Sequence, residues 1–191
     1  ENDYRRLLDD RTLQGVVIAT PDHWHASMAC QAMDAGHDVY LESPATTSLV
    51  QGAELLATMS RTGRIVQCGI QERSGAAYHE ALRYLHTGRL GSVKLARAWV
   101  VHRRKPIPPK QDGVAPEQLD YRGWLGPAGE RPYNLNRCHG NWRWFWDYGG
   151  GELAQWGSHL LDVARWGLQV QWPTRVTAVG GKYAFDDAAE T

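Results

Sequence analysis

Phenylalanine is nearly missing from this chain: two residues stand beside nine tryptophans and eight tyrosines. Cysteine is scarce too. Cys30, Cys68 and Cys138 are odd in number, widely spaced and form no CxxC pair, which argues against a disulfide framework or a structural zinc site. Neither sign of charge is in excess, with 21 basic and 21 acidic residues, so no basic face points to nucleic acid. The one basic run, Arg103-Arg104-Lys105, runs straight into Pro106 and reads as a solvated loop. No apolar stretch approaches the roughly 20 residues that span a bilayer, so no membrane partner is expected. The opening Glu1-Asn2-Asp3 lacks the basic and apolar regions of a signal peptide. A cytoplasmic protein is the expectation, although a leader removed earlier would leave no trace.

The aromatic residues that are plentiful carry a hint. Tryptophan and tyrosine join a flat apolar face to a polar edge, and a sugar ring has an apolar face and a hydroxyl rim. Core packing alone could use the same residues.

The front of the chain alternates regularly. Gly15-Val16-Val17-Ile18-Ala19-Thr20 is an apolar run that suits a parallel strand buried on both faces. From His23 to Ala35 the residues Trp24, Met28, Ala29, Ala32 and Met33 recur at helical spacing, ended by Gly36. Asp38 to Glu42 reads as a second strand. A helix follows to about Thr62, capped by Thr46, Thr47 or Ser48 and closed by Gly63. Arg64 to Gly69 reads as a third strand and Gly75 to His86 as another helix. Strand and helix in alternation predict an α/β fold, the C-terminal half of a Rossmann-like parallel sheet.

The pattern changes near Gly88 to Ser92. Ser92 to Val101 and Arg175 to Tyr183 read as strands, Asp120 to Arg137 as irregular, and Glu152 to about Trp166 as a helix after Gly149-Gly150-Gly151. The expected organisation is a partial nucleotide-binding domain over residues 1–90 and a partial α+β substrate or oligomerisation domain over 91–191.

In open α/β sheets ligands sit at the carboxyl ends of the strands. Three segments fall there: Thr20-Pro21-Asp22-His23-Trp24-His25, Glu42-Ser43-Pro44 and Ile70-Gln71-Glu72-Arg73. A fourth runs from Gly149 to Asp162 and holds Gln155-Trp156-Gly157-Ser158-His159. In this order, and with Asn141-Trp142-Arg143-Trp144-Phe145-Trp146-Asp147-Tyr148 ahead of the glycines, these segments resemble the Gfo/Idh/MocA family of glucose–fructose oxidoreductases and inositol dehydrogenases, over essentially the whole chain.

That resemblance implies NAD or NADP as cofactor and hydride transfer at a carbon of a sugar or polyol. It implies Thr20, Pro21, His23, Glu42 and Gln71 on the cofactor side. His159 is the implied proton-transfer residue, with Gln155, Asp162 and Ser43 around it, and its ring suits proton exchange near neutral pH. Asp162, one helical turn on, is a candidate to orient His159. Trp142, Arg143 and Trp146 are candidates to meet the sugar, although some of these tryptophans must also fill the core.

Three departures stand out. The family's glycine-rich cofactor turn is absent before Gly15, and Gly149-Gly150-Gly151 reads as a flexible turn into a helix. A longer natural chain is the simplest source of the missing turn. Ser43 stands where the family's Glu-Lys-Pro motif has lysine, and a short neutral side chain cannot supply that charge. Gln155 stands where the family usually has an aspartate on the same helix face as the histidine.

A second reading therefore stays open: a relative without bound nicotinamide that acts on a glycoside as a hydrolase or lyase, using Glu42, Asp147, Glu152 or Asp162 with His159. A third is a sugar-binding or assembly module. No metal is expected, because His23 and His25 sit at i,i+2 spacing with no evident third ligand. The bare strand edges predict a homo-oligomer.

Overall fold

The computed structural model describes residues 3–102 and 104–191. Glu1 and Asn2 of the opening tripeptide, and Arg103 of the basic run, lie outside the described residues.

Three short strands form one parallel sheet in the spatial order β1 (Gly15–Ile18), β2 (Asp38–Glu42), β3 (Val66–Gly69). A short helix α1 (Arg5–Leu8) precedes them, and α2 (Asp22–Asp34) and α3 (Leu49–Thr62) make the crossovers. Ser48 supplies the N-cap of α3, accepting from the Gln51 amide, and Gly63 ends that helix in the left-handed conformation. A 3₁₀ turn (Gln71–Ser74) leads from β3 into α4 (Ala76–His86).

The sheet is not buried on both faces. Val39, Leu41 and Ile18 point into a core with Ala29, Cys30, Ala32 and Met33 of α2 and Leu55 of α3. Val17, Tyr40 and Gln67 are aligned across the three strands on the opposite face, where Val17 is 73% exposed. The reason is topological. Strands added one after another in the same direction, with crossovers of one hand, lay both helices on the same side of the sheet.

The expected strands Ser92 to Val101 and Arg175 to Tyr183 form no ladder, and residues 91–101 are exposed throughout. Their apolar side chains have no opposing strand among the described residues, and a strand without a partner leaves its backbone groups to water. A second core forms nonetheless. Ile107, Leu125, Trp144, Phe145, Tyr148 and Ala189 pack together, with Tyr121, Trp124 and Trp142 against them.

Short irregular pieces build that core. Asp120 caps α5 (Tyr121–Leu125) by accepting from the Gly123 amide. Gly126 follows with φ 49°, and a Cβ there would meet the Trp24 ring at 1.9 Å. The turn can therefore lie flat on α2, where the Trp124 carbonyl accepts from Trp24 Nε1 at 3.0 Å and lies 3.0 Å from His23 Nε2. Arg104 is no solvated loop residue. It pairs with the carboxylate of Asp187 and lies 5.1 Å from the ring centres of Trp144 and Phe185.

The expected single helix after the glycines is broken at Trp156 into α6 (Gly151–Gln155) and α7 (Gly157–Leu168). The glycines are packed, not loose. Gly149 and Gly151 are buried, and an added Cβ would meet Arg143 Cα at 2.9 Å or Thr191 Oγ1 at 2.5 Å. Among the described residues no helix is long and apolar enough to cross a membrane.

Candidate active site

The carboxyl ends of β2 and β3 meet the first turn of α7. Ser43, just past β2, bonds through Oγ to His159 Nε2 at 2.8 Å. The other ring nitrogen, Nδ1, lies 3.0 Å from Glu72 Oε2. The imidazole and the carboxylate are 12% and 18% exposed, so the chain of three is sheltered yet reachable from solvent. Hydroxyl, imidazole and carboxylate in line fix the ring and let a proton move along it.

A second cluster lies beside this one. Asp22 opens α2 and is 2% exposed. Gln155 Nε2 donates to both of its carboxylate oxygens, at 3.1 and 2.8 Å. Burial pushes the Asp22 carboxyl up to about 6, against the opposing pull of His25, the Gln155 bond and Arg143. A buried carboxyl shifted toward neutrality at the end of a sheet is a mark of a functional site. His25 holds the strand ends together: its ring nitrogens lie 2.7 Å from the Pro44 carbonyl and 2.9 Å from that of Thr20.

Asp162 does not orient His159. Its carboxylate accepts two bonds from Arg73, at 2.6 and 2.9 Å, and the Arg73 guanidinium stacks 4.5 Å from the ring centre of Trp166. Glu72 takes the orienting place because the 3₁₀ turn after β3 brings it to the ring. Gln155 and His159 sit on separate helices and share no continuous helix face, since α6 ends at Gln155.

The remaining expected residues divide clearly. Thr20 and Pro21 link β1 to α2, and Thr20 Oγ1 is buried with no hydrogen-bond partner among the described residues. His23 is 4% exposed, and burial holds its ring below the usual range, against the opposing pull of the Trp124 and Tyr148 carbonyls. The Glu42 carboxylate lies over Gly69, where an added Cβ would meet it at 2.6 Å. Gln71 is exposed in the 3₁₀ turn. Among the tryptophans, Trp144 is core, Trp142 packs against the core, and Trp146 is 66% exposed. Arg143 is exposed, with its guanidinium 5.2 Å from the Trp142 ring centre.

Three of the four carboxylates of the glycosidase reading, all but Glu42, have partners elsewhere. Asp147 pairs with Arg131, Glu152 with His102 and Asp162 with Arg73. Among the described residues no group of three or more His, Cys, Asp or Glu is arranged to hold a metal ion.

Two family models match, one described as "Oxidoreductase family, NAD-binding Rossmann fold" over residues 1–70 and one as "Oxidoreductase family, C-terminal alpha/beta domain" over 97–188. The chain belongs to the Gfo/Idh/MocA oxidoreductase family. It is 32% identical over 175 residues to scyllo-inositol 2-dehydrogenase (NAD(+)) of Bacillus subtilis, covering 92% of this chain and 40% of that one. It is 30% identical over 126 residues to inositol 2-dehydrogenase 2 of Saccharopolyspora erythraea, covering 62% and 37%. The chain thus spans well under half the length of these curated relatives. An NAD-binding protein from Listeria innocua shares the fold, with a TM-score of 0.58 at 22% identity over 85% of this chain and 38% of the other.

Within the Gfo/Idh/MocA pattern, two residues escaped the sequence reading. Glu72 was visible only as a neighbour of Gln71 at a strand end, and nothing in its spacing joins it to a histidine 87 positions away. Asp22 lay in the strand-end segment, but the bond that makes it distinctive crosses 133 positions to Gln155.

Proposed function

We propose that this chain forms the proton-transfer side of a nicotinamide-dependent oxidoreductase acting on a sugar or polyol, with His159 as the group that takes the substrate's proton. The Ser43–His159–Glu72 alignment at the strand ends carries this reading. The inositol dehydrogenases among its relatives support the substrate class.

The cofactor fit is partial. Thr20, Pro21, His23, Glu42 and Gln71 would wall the nicotinamide half, and Thr20 Oγ1, without a partner among the described residues, suits a polar ligand group at that edge. Gly149-Gly150-Gly151 follows a 3₁₀ turn instead of a strand, so it does not make the phosphate-binding turn of a βαβ unit. A nicotinamide held there would supply the hydride acceptor or donor for the substrate carbon.

The residues supply the proton path. A substrate hydroxyl beside Ser43 hands its proton to Oγ as Oγ passes its own to His159 Nε2. Glu72 accepts from Nδ1–H and stabilises the imidazolium that results. Ser43 relays a proton where a lysine would act through its charge. Gln155 holds its amide on Asp22, which leaves its carbonyl oxygen to meet a hydroxyl. Exposed Trp146 and Arg143 are assigned to the sugar's face and rim.

We also infer self-association, because the outer edge of β1 has no partner strand among the described residues and the Val17 face is bare. A cytoplasmic setting suits the three unpaired thiols.

Calorimetric titration with NAD+ and NADP+, with inositols or hexoses present, tests the reading. Saturable binding and reduction of the nicotinamide are expected, with at least about a 100-fold rate loss in His159→Ala. Absence of both binding and reduction would reject it. Light scattering on the same sample should give a mass above the 21.4 kDa of one chain; a strict monomer would reject the self-association.

A further inference from the structure

We infer a second activity at this site: Ser43 is a nucleophile that accepts acyl groups from activated esters, with His159 as its base and Glu72 as the group that orients the base. The inference does not depend on nicotinamide binding.

The geometry has the parts that nucleophilic catalysis by a hydroxyl requires. An ordinary serine is inert because its proton is held too tightly, and it becomes reactive when a base lies within hydrogen-bond reach and a third group fixes that base. Ser43 Oγ is 2.8 Å from His159 Nε2, and His159 Nδ1 is 3.0 Å from Glu72 Oε2. With Nδ1–H directed at the carboxylate, the Nε2 lone pair faces the hydroxyl. The carboxylate also offsets the positive charge that appears on the ring. The three residues come from three separate elements: the end of β2, the turn after β3 and the first turn of α7. Their convergence is therefore a product of the fold and not of one local motif. Ser43 is half-buried, so an acyl carbon can reach it.

The step balances without any further co-reactant than the ester and water. Ser43 Oγ forms a bond to the acyl carbon while its proton passes to His159 Nε2. The tetrahedral adduct collapses, the bond to the leaving oxygen breaks, and the leaving group either takes the proton from Nε2 or departs as an anion while Nε2 releases its proton to solvent. Water then attacks the acyl-serine, giving one proton to Nε2, which returns it to Ser43 Oγ as the acid is released.

The surroundings set the substrate class. The Gln155 amide is committed to both oxygens of Asp22, so it offers no hydrogen bond to a developing oxyanion. Loss of one such donor costs roughly 100- to 1,000-fold in rate. Esters with good leaving groups are therefore the substrates, and the acyl-serine should accumulate because its hydrolysis meets the same handicap.

The test is to incubate the folded chain with p-nitrophenyl acetate, follow p-nitrophenolate release, and locate the acetyl group by peptide mass mapping. A burst of about one nitrophenolate per chain and an acetyl group on Ser43 are expected. Ser43→Ala should remove both, and Glu72→Gln should slow the burst by about 10-fold or more while leaving Ser43 as the acceptor. A circular-dichroism spectrum like that of the parent chain verifies each variant, and Ser43→Cys, which keeps a nucleophile, should restore an adduct at position 43 if Ser43→Ala fails to fold. Acetylation confined to lysines or tyrosines, an unchanged burst in Ser43→Ala, or no adduct on the folded chain would overturn the inference. None of these outcomes bears on nicotinamide binding, which calorimetry reads separately.

Discussion

The molecule has two cores, built on different physics. The first, around Leu41, Met33 and Ala29, is apolar and lies under a three-stranded ladder, so backbone pairing and burial act together. The second, around Tyr148, Trp144 and Phe145, has no sheet beneath it. Side chains do there what a ladder does in the first. Asp187 accepts from Arg104 and from the amides of Ile107 and Ala189, and Arg137 donates to Asp112 and to the Pro132 carbonyl. Repeated backbone geometry can be replaced by single polar anchors, but each anchor then matters individually and responds to pH.

That contrast can be broken at its strongest point first. Leu41 is fully buried in the centre of β2. Leu41→Ala should cost about 4 kcal/mol by loss of burial and creation of a cavity, read as a drop in urea midpoint relative to the parent chain that is the same at pH 5 and pH 8. A loss under about 1 kcal/mol would mean that the sheet does not hold the first core.

The next effect belongs to the second core. Asp187→Ala leaves Arg104 and two main-chain amides without their acceptor, at a cost of about 3 kcal/mol. The parent chain has a matching pH signature. The bond from Arg104, assisted by the two amides, holds the Asp187 carboxyl well below the usual carboxylate range against the opposing cost of burial. Its contribution is therefore complete above about pH 4, the value for an unfolded aspartate, and is lost as the pH falls toward the folded value. The variant should lack that acid-side loss. An unchanged acid limb in Asp187→Ala would remove the polar-anchor account.

The smallest effect has the opposite sign and joins the two regions. Asp22 titrates near 6 in the folded chain because it is buried, so ionising it opposes folding. Stability falls as the pH rises from about 4 to 6 and the penalty is complete above that. Asp22→Asn should be the more stable protein at pH 7, by about 2 kcal/mol, and indistinguishable from the parent below about pH 4. Destabilisation at pH 7 would mean that the bond from Gln155 outweighs the burial of the charge.

The first core was legible in the sequence and the second was not, for related reasons. Val39, Tyr40 and Leu41 alternate, and Ala29, Ala32 and Met33 repeat at helical spacing, so local period announces β2 and α2. Val17 misled because an apolar run does not say which face a helix will cover. Ser92 to Val101 misled because strand character is a property of a pair. The site was half legible. Ser43 and His159 stand out by family resemblance, but their contact crosses 116 positions. The exchange of Asp162 for Glu72 as the partner of His159 rests on a 3₁₀ turn and on the break at Trp156, neither of which has a periodic signal.

The direct test of the central arrangement is the nitrogen NMR spectrum of the His159 ring, assigned with His159→Ala and recorded where the ring is neutral. Donation to Glu72 and acceptance from Ser43 require the proton on Nδ1, with Nε2 resonating as an unprotonated nitrogen, and Glu72→Gln should shift that Nδ1–H signal. A ring carrying its proton on Nε2, or a spectrum indifferent to Glu72→Gln, would contradict the alignment on which the proposed function rests.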